Sequence, residues 1–394
     1  MTSIPWAGLR PQRPERLGHP WVFAGEIAEI SRDAADGDVV RVSDPRGRLL
    51  GRAMLNTQSK ITLRYLSPYD EEIDADWWAN RLAEAIARRR RIPEVDDTNA
   101  LRLINGEADG LPGLIVDRYA GVLVVQMLAL GLEPWREVIV ETLRGQPYAE
   151  SIWERSDVHV RELEGLEQRT GLLAGVEPPP LVEVFERRAR LLVDVREGQK
   201  TGMFLDQRRN RMAAATYAKG CRVLNCFSYS GGFAVHAALA GAREVIDVDS
   251  SAPALDLAAR NMALNGVADR HRVIEANSFD LLREWSDSDD RLDLVILDPP
   301  AFTKSRATIP GALRGYKEIN LRAMRLLRRN GILVTCSCSQ HIDDQTFRAM
   351  LLDAAFDARR ELRILEQHGQ GPDHPQLPRA PETRYLTCVI AEIE

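Results

Sequence analysis

The chain of 394 residues is too long for one ordinary domain, so two or three are expected. Its 44% hydrophobic and 28% charged residues are typical of a globular protein, and the lack of an apolar run near the roughly 20 residues of a membrane helix argues against a membrane protein. The net charge of −6 argues against a surface coated in basic charge for indiscriminate nucleic-acid binding, but it is compatible with a local basic face.

The first 20 residues include basic side chains but no apolar core, so they do not resemble a secretory signal. Five cysteines, odd in number and scattered, argue against a disulfide framework and predict a reducing, cytoplasmic location. Cys336 and Cys338 lie close together in the sequence, but there is no CxxC motif or Cys/His cluster. We therefore expect no zinc or other metal.

Residues 1–69 are predicted to form a small β-rich domain. The stretches 39–43 and 61–65 alternate or run apolar, and turn signals lie at 36–37 and 44–47. Residues 1–66 hold ten Lys or Arg against seven Asp or Glu, a local balance of +3 in a chain that is negative overall. This domain is the candidate for contact with RNA, and the alternative is a small barrel of unassigned role.

Residues 70–190 are expected to form a middle domain of mixed α+β structure. Bulky apolar residues at helical spacing predict a helix over 75–91. The stretch 101–128 is predicted to form a strand, a Gly/Pro-rich turn and a two-stranded hairpin. The other predicted elements are a helix over 134–143, a strand over 151–154 and two strands within 182–195.

Residues 191–394 are expected to form a third, Rossmann-like domain, because strands and helices alternate from about residue 196 onward. This alternation predicts a doubly wound, mostly parallel sheet. The predicted strands are 223–226, 245–248, 272–275, 293–297, 331–336 and 385–392, and the predicted helices include 233–240, 253–265 and 316–329. Ligands of such sheets bind at the carboxyl ends of the strands. The polar or special residues found there are Asn225 to Gly232, Asp249, Asn277, Asp298 to Pro300 and Cys338.

The stretch from Val223 to Asp249 is a βαβ unit with a glycine turn after its first strand and an acid after its second. Glycines in such a turn let a ligand approach the backbone and the helix N-terminus. Asp249 lies 18 residues after Gly231, where a carboxylate that binds ribose is expected. The turn lacks the GxGxxG pattern, so a nicotinamide or flavin cofactor is disfavoured. S-adenosylmethionine (SAM), which has a ribose but no pyrophosphate, fits better.

Two further strand ends indicate methyl transfer to a base. Asp298 is followed by Pro-Pro-Ala-Phe, and an acid with a nearby aromatic side chain suits a site that holds a flat base. Cys336 and Cys338 follow the next predicted strand, and they point to the same face if that strand continues. A pyrimidine C5 accepts a methyl group once a thiolate has added to C6, which is covalent catalysis by cysteine.

Over nearly its full length the chain resembles the bacterial 23S ribosomal RNA cytosine-C5 methyltransferases of the RlmI type. The matching stretches are HPWVF at 19–23, RLINGEADGLPGLIVDRY at 102–119, SDVHVRELEG at 156–165, KTGMFLDQRRNR at 200–211, VLNCFSYSGGFAV at 223–235, LDPPAF at 297–302, GYKEIN at 315–320 and SCS at 337–339. The resemblance implies an N-terminal PUA RNA-binding domain, a middle domain particular to the family and a C-terminal class I SAM-dependent methyltransferase domain. It also implies C5 methylation of one cytosine in 23S rRNA.

The resemblance implies roles for individual positions as well. Cys338 matches the nucleophile, and Asp298 would hydrogen-bond the N3/N4 edge of cytosine beside the cofactor. The other residues implied to bind SAM are Asp206, Gln207, Asn225, Phe227, Ser228, Gly231, Asp249 and Asn277. Those implied to contact the substrate are Arg208, Pro299, Pro300 and Phe302. Asn277 stands where an acid is usual beside the adenine, and Cys336 stands where an apolar residue is expected.

Several alternatives stay open from sequence. The Asp-Pro-Pro-aromatic motif also suits N-methylation of guanine in rRNA, which needs no cysteine. A protein of another class, an RNA-binding ribosome-assembly factor with a degenerate methyltransferase fold, is disfavoured by the intact set Gly231, Asp249, Asp298 and Cys338. Either water or Asp298 is hypothesised to remove the C5 proton. The target cytosine, the role of Cys336, a homodimer and domain motion on RNA binding are left undecided.

Overall fold

The computed structural model describes residues 4–11, 16, 18–303 and 305–394, and the chain divides into two compact units. Unit 1 comprises the chain up to Val184 together with Val193–Leu205 and Pro372–Thr383, and unit 2 comprises Phe185–Leu192, Asp206–Gly371 and Arg384–Glu394. The division into domains at 69/70 and 190/191 remains a prediction. No helix within the described ranges has both the length and the apolar character needed to cross a membrane.

The first sheet of unit 1 has six strands in the order β2-β6-β5-β4-β1-β3. Its strands are β1 (Trp6–Leu9), β2 (Trp21–Phe23), β3 (Ile27–Ile30), β4 (Val39–Ser43), β5 (Leu49–Leu55) and β6 (Ile61–Ser67). Strand β1 is parallel to β4, and the other neighbours are antiparallel. Alternation along β4 directs Val40 and Val42 into a core that they share with Leu55 and Leu63. The prediction of a small β-rich module is confirmed.

A second sheet of unit 1 has the order β11-β10-β9-β8-β7 and packs with two helices. Its strands are β7 (Ala100–Asn105), β8 (Leu114–Tyr119), β9 (Val122–Met127), β10 (Ser151–Ser156) and β11 (Arg169–Gly175), and the helices are α1 (Ala75–Arg89) and α2 (Arg136–Arg144). Asp74 caps α1 by accepting a hydrogen bond from the Trp77 backbone N–H at 2.8 Å. All of these elements except β11 were predicted, and β11 is an edge strand without a clear apolar face.

Unit 2 is built on a seven-stranded sheet with the order β16-β15-β14-β17-β18-β20-β19. The strands are β14 (Arg222–Cys226), β15 (Glu244–Asp249), β16 (His271–Glu275), β17 (Leu292–Leu297), β18 (Leu327–Ser337), β19 (Leu362–His368) and β20 (Thr387–Ile393). Strands β14 to β18 are parallel, whereas β20 is antiparallel to both β18 and β19. The doubly wound, mostly parallel sheet is therefore confirmed. A separate two-stranded sheet pairs β12 (Val182–Glu186) with β13 (Ala189–Val193).

Six helices of unit 2 connect or flank these strands. They are α3 (Arg208–Ala215), α4 (Gly232–Leu239), α5 (Ala252–Leu264), α6 (Ser278–Ser286), α7 (Ile309–Leu326) and α8 (Asp344–Ala358). The predicted helix over 316–329 begins too late and ends too late. Leu327 instead pairs with Leu292 in the sheet. The helix therefore ends at Leu326, although the helical sequence pattern continues beyond it.

The two cysteines near the end of β18 would share a strand face only if the strand continued, and it does not reach Cys338. Strand β18 ends at Ser337, so Cys336 is the last but one residue of the ladder and Cys338 lies beyond it. Cys336 is fully buried and pairs in register with Cys388 of β20. Cys338 is only partly buried. The two thiols therefore occupy different environments, a packed sheet and a strand end.

Candidate active site

The turn between β14 and α4 holds three residues in the left-handed region. The φ angles are 60° at Phe227, 46° at Tyr229 and 74° at Gly231. Bulky side chains rarely adopt such angles, and they persist only where the surroundings fix the backbone. A Cβ on Gly231 would lie 2.9 Å from the Ala258 Cβ and 3.0 Å from Asp247 Oδ2, so this position requires glycine.

Hydrogen bonds from the neighbouring strand hold this turn in place. The Ser228 N–H donates to the Val248 carbonyl at 3.1 Å, and the Tyr229 N–H donates to Asp249 Oδ2 at 2.9 Å. The other oxygen of Asp249 accepts from the Ser251 N–H at 3.0 Å. One carboxylate oxygen therefore orients the turn and the other bonds the backbone at the start of α5, and each keeps a second lone pair with which it can accept from a ligand hydroxyl.

A second acid, Asp247, lies inside the sheet next to the turn. It is fully buried and accepts from Asn225 Nδ2 at 2.8 Å and from His271 Nε2 at 2.9 Å. Burial raises the pKa of Asp247. Sequence analysis did not single out Asp247 or His271, although the alternation of acids in Asp247-Val248-Asp249 was the available signal.

Two buried polar atoms at this strand end have no hydrogen-bond partner in the described part of the chain. They are Asn225 Oδ1 and Ser228 Oγ, and the two residues are 1% and 7% exposed. Buried polar groups in proteins are usually paired, so two unpaired atoms at the end of β14 are available to a polar ligand. With Asp249, they provide acceptors and a hydroxyl for the amino group and ribose of an adenosyl amino acid. The residues present therefore fit SAM.

Asn277 follows β16 and caps helix α6. Its Oδ1 accepts a hydrogen bond from the Phe279 N–H at 2.9 Å. This bond is a sufficient structural reason for a short polar side chain, and asparagine and aspartate serve equally well as caps. Asn277 is exposed at the same sheet edge as Asp249, so its place at a strand end is compatible with contact to the cofactor.

Asp298 follows β17 and is hydrogen-bonded by Gln207, the residue before helix α3. Gln207 Nε2 donates to Asp298 Oδ1 at 2.7 Å, and the Asp298 N–H donates to the Cys226 carbonyl at 3.4 Å. Asp206 is 3% exposed, and its Oδ2 accepts from the Tyr385 hydroxyl at 2.7 Å. Arg208, the first residue of α3, is 2% exposed. The structure thus brings Gln207 and Asp298 together and places Asp206 and Arg208 in the interior.

The segment after Asp298 carries Pro299, Pro300 and Phe302. Pro299 is buried, its carbonyl accepts from Cys338 Sγ at 3.6 Å, and Pro300 is exposed. The Phe302 ring lies 4.5 Å from the Tyr316 ring and 5.5 Å from the Phe279 ring, measured between centroids. Phe302 is therefore part of an aromatic row that sequence analysis did not identify, and it is partly exposed.

The two cysteines differ in chemistry as well as in position. The hydrogen bond with Cys388, together with burial and the charge of Asp298, raises the pKa of Cys336 well above its ordinary value. A thiol of this kind is a poor nucleophile, because the thiolate is the reactive form. Cys338 is the thiol that lies at the strand end beside Pro299, partly accessible.

Strand order, glycine turn and acid-tipped second strand together define the class I methyltransferase fold. The sequence profile of the S-adenosylmethionine-dependent methyltransferase family matches residues 113–387, and that of the PUA-like domain matches residues 12–68. A solved structure described as a candidate methyltransferase complexed with S-adenosylhomocysteine has a TM-score of 0.82, shares 21% identity and covers 96% of both chains. This likeness shows the fold.

Curated relatives narrow the assignment. A protein of Erwinia tasmaniensis named ribosomal RNA large subunit methyltransferase I is 44% identical over 93% of this chain and 93% of its own. A protein of the same name from Photobacterium profundum is 43% identical over 94% of each chain. The chain therefore belongs to the ribosomal RNA large subunit methyltransferase I family, whose cofactor is SAM. The predicted family, fold class and cofactor are confirmed.

Proposed function

We propose that this chain transfers a methyl group from SAM to C5 of one cytosine in 23S rRNA, with Cys338 as the covalent nucleophile. The names of the relatives support an rRNA substrate, and the PUA-like match at residues 12–68 is compatible with an RNA-contacting module. The observation that carries the covalent step is the position of Cys338. Its thiol lies 3.6 Å from the Pro299 carbonyl, at the strand end next to Asp298, whereas Cys336 is sealed in the sheet.

The residues proposed to bind the cofactor and the base lie at the ends of three strands, β14, β15 and β17. Bound SAM supplies an electrophilic methyl group on a sulfonium. Gly231 lets it approach the backbone of the turn, Asp249 accepts from its ribose hydroxyls, and Asn225 and Ser228 offer the buried atoms without internal partners. Asp298 receives the amino edge of the cytosine. Because duplex bases are stacked, the target base must be unstacked at a cost of about a few kcal/mol, so protein-free or partly assembled rRNA is the expected substrate.

The covalent step accounts for the need for a thiol. The Cys338 thiolate adds to C6, which forms a carbon–sulfur bond and makes C5 an enamine-like carbon able to accept the methyl group. Water or Asp298 then takes the proton from C5, the ring double bond re-forms, and the C6–sulfur bond breaks to release the thiolate. The chain is thus regenerated, and the products are 5-methylcytidine and the demethylated cofactor.

Product analysis tests the proposal directly. The full-length protein is incubated with a protein-free 23S rRNA transcript and SAM, and the nucleosides are identified by mass spectrometry and mapped along the transcript. We expect 5-methylcytidine at one position. N-methylguanosine as the product would overturn the proposal in favour of ring-nitrogen or amine methylation through the Asp-Pro-Pro-aromatic segment.

Three cysteine variants test the nucleophile. Cys338→Ala is expected to lower the rate of methylation by at least about 10³-fold, as loss of a covalent nucleophile does in other enzymes. Cys336→Ala and the matched control Cys221→Ala, whose thiol is also partly exposed, should retain most activity. An RNA containing 5-fluorocytidine should become covalently bound to the wild-type chain, because fluorine cannot leave C5 as a proton. Trapping by Cys338→Ala would contradict the assignment.

A further inference from the structure

A chain of two buried amides leads from the protein interior to Asp298. Asn210 is fully buried, and its Nδ2 donates both to the Gly369 carbonyl at 3.2 Å and to Gln207 Oε1 at 2.5 Å. Gln207 is 2% exposed, and its Nε2 donates to Asp298 Oδ1 at 2.7 Å. All four residues belong to unit 2.

The polarity of this chain follows from its two ends. A backbone carbonyl can only accept, so Asn210 must turn its amino group toward Gly369. The same amino group then meets an oxygen of Gln207, which leaves the Gln207 amino group facing Asp298. Orientations of single amides are ambiguous, but here only one arrangement pairs every donor with an acceptor. Gln207 is therefore a fixed donor to Asp298.

The amide of Gln207 is bonded within the protein at both its oxygen and its nitrogen. Its oxygen is bonded to Asn210, and its amino group serves both Asp298 and the neighbouring thiol of Cys336. A side chain whose oxygen and amino group are both bonded within the protein acts through its partner rather than by contacting a ligand. This arrangement distinguishes Gln207 from Asn225, whose buried oxygen has no partner in the described residues.

We infer that Asn210 and Gln207 are positioning residues that hold Asp298 as a hydrogen-bond acceptor and thereby select the amino edge of cytosine over the carbonyl edge of uracil. The inference rests on the proposed function. An N–H aimed at a carboxyl oxygen favours the ionised form, which can only accept. Cytosine presents an amino group at C4, whereas uracil presents a carbonyl that an ionised Asp298 would repel. The Gln207 amide is neutral, so it orients Asp298 without adding a positive charge, as an arginine at the same place would.

The first test replaces the amide without changing its length. Gln207→Met should lower kcat for methylation of the 23S rRNA transcript by about 10- to 100-fold, the usual effect of removing an outer hydrogen-bond partner. The Kd for SAM, measured by calorimetry, should stay within about threefold. Gln126→Met is the matched control, since Gln126 is also buried and donates to a backbone carbonyl, that of Arg155 at 2.8 Å, in unit 1. A kcat for Gln207→Met within twofold of wild type would overturn the inference.

The second test uses pH and distinguishes positioning from simple packing. In Gln207→Glu two carboxyls face each other at hydrogen-bond distance, so the pKa of the pair is raised and they share one proton at lower pH. The protonated Glu donates to Asp298 as Gln did, whereas at higher pH both groups are charged and repel. The ratio of variant to wild-type kcat should therefore fall at least about tenfold from pH 5.5 to pH 8.5. The ratio for Gln207→Met should stay flat.

Taking the ratio removes the effects of other titrating groups near Asp298. These are Cys336 with its partner Cys388, Cys338 at the strand end and the pair of Asp206 and Tyr385. The bond from Gln207 to Cys336 is lost in Gln207→Met as well, so that variant controls for it. A flat ratio for Gln207→Glu would refute the positioning role. Asn210→Asp supplies an independent arm. It leaves Gln207 in place but forces its amide to turn its oxygen toward Asp298, and it should reduce kcat as Gln207→Met does, whereas unchanged kcat would refute the relay.

The product of the wild-type reaction separates this inference from the proposed function. If wild type makes 5-methylcytidine and the Gln207 variants behave as wild type, the relay is wrong and the proposed function stands. If wild type makes another methylated nucleoside, the proposed function is wrong and so is selection of cytosine by this relay. Selectivity itself is measured as kcat/KM for transcripts carrying cytidine or uridine at the mapped position, and the preference for cytidine should shrink in Asn210→Asp.

Discussion

The buried acids of unit 1 and the acids at the strand ends of unit 2 are paired with different kinds of donor. In unit 1, Arg89 binds Asp109 through two bonds of 2.7 Å, and Arg102 binds Asp117 through two bonds of 2.8 Å. Paired forks of this kind match a full positive charge to each carboxylate. These acids are therefore committed to holding the fold.

Asp249 and Asp298, the acids of the candidate site, accept hydrogen bonds from neutral donors. Asp249 accepts from two backbone N–H groups, and Asp298 accepts from the Gln207 amide. Neutral donors orient a carboxylate without cancelling its charge, so it can still attract hydroxyl and amino groups of a ligand. The comparison teaches that the acids of unit 1 are buried against arginine, whereas Asp249 and Asp298 are half-buried and accept from neutral donors, as expected of carboxylates that also meet a ligand.

Substitution of Asp298 should give the largest effect of this kind. Asp298→Asn keeps the volume but replaces an acceptor oxygen by an amino group, so it should lower the rate of rRNA methylation by about 10²- to 10⁴-fold. The melting temperature should change by only about a few degrees, because asparagine keeps the volume and its remaining oxygen can still accept from Gln207. Activity above about a tenth of wild type would show that Asp298 is not needed for the reaction, and the proposed contrast with the acids of unit 1 would fail.

Substitution of Asp109 should have the opposite profile. Asp109→Asn leaves the Arg89 side chain, which is 4% exposed, without its counter-charge, so the free energy of unfolding should drop by about 3–5 kcal/mol in urea denaturation. The control is Glu141→Gln, whose ion pair with Arg144 is mostly exposed and should contribute under about 1 kcal/mol. Equal losses in the two variants would show that arginine pairing in unit 1 is not structural.

Glu186 sharpens the comparison, because it lies in unit 2 but is paired in the manner of unit 1. Its carboxylate accepts from Arg211 Nε at 3.0 Å and from His236 Nε2 at 3.0 Å. Burial acts to raise the pKa of Glu186, but the charge of Arg211 and the hydrogen bond from His236 outweigh it and hold that pKa well below its usual range. Glu186 should therefore behave as a structural acid.

The sign of the pH effect follows from the lowered pKa. The stabilisation by Glu186 is fully present above its unfolded-state pKa of about 4.3 and is lost as pH falls through the folded-state value. Glu186→Gln should thus be less stable than wild type at pH 7, and the gap should narrow as pH drops below about 5. Denaturation curves at several pH values measure the gap, and a constant gap down to about pH 3.5 would contradict the assignment.

The sheet of unit 2 was predictable because its parallel strands are buried on both faces and appear as short apolar runs, such as Val223 to Cys226. Strands β11 and β19 were missed for the converse reason: each is an edge strand in which polar and apolar residues mix. The end of α7 was misplaced because 327–330 continues a helical pattern, and only pairing with β17 takes Leu327 into a strand.

The site was predictable to the extent that it follows the strand ends. The rule that ligands bind at the carboxyl ends of parallel strands located Gly231, Asp249, Asp298 and Cys338. The supporting residues were not accessible in this way, since Gln207 and Asp298 are 91 positions apart and Asn210 and Gly369 are 159 apart. Nothing local in the sequence indicates such partners. The different fates of Cys336 and Cys338 likewise depend on where β18 ends.

The smallest expected effect concerns the basic residues of the N-terminal sheet. Of the ten counted from sequence, Arg13 lies outside the described residues. Those that form ion pairs with carboxylates are Arg16, Arg41, Arg48, Arg52 and Arg64. Arg46 is exposed in the turn that also holds Arg48, and it forms no ion pair with the described residues. Five of the nine described basic residues are therefore paired with acids, as are the buried acids of unit 1 with arginines.

If RNA contacts this sheet, an uncommitted cation should contribute to counterion release. Arg46→Ala should reduce the slope of log K against log salt by about 1, and it should weaken binding nearly uniformly across RNA sequences. The control is Arg144→Ala, which removes the same charge from an exposed position already paired with Glu141. Filter binding of the 23S rRNA transcript at several salt concentrations measures both slopes. Equal slopes for Arg46→Ala and wild type would mean that the cations that bind RNA lie elsewhere. The contrast between side chains held in ion pairs and those able to meet a ligand would then apply only to the acids of the chain.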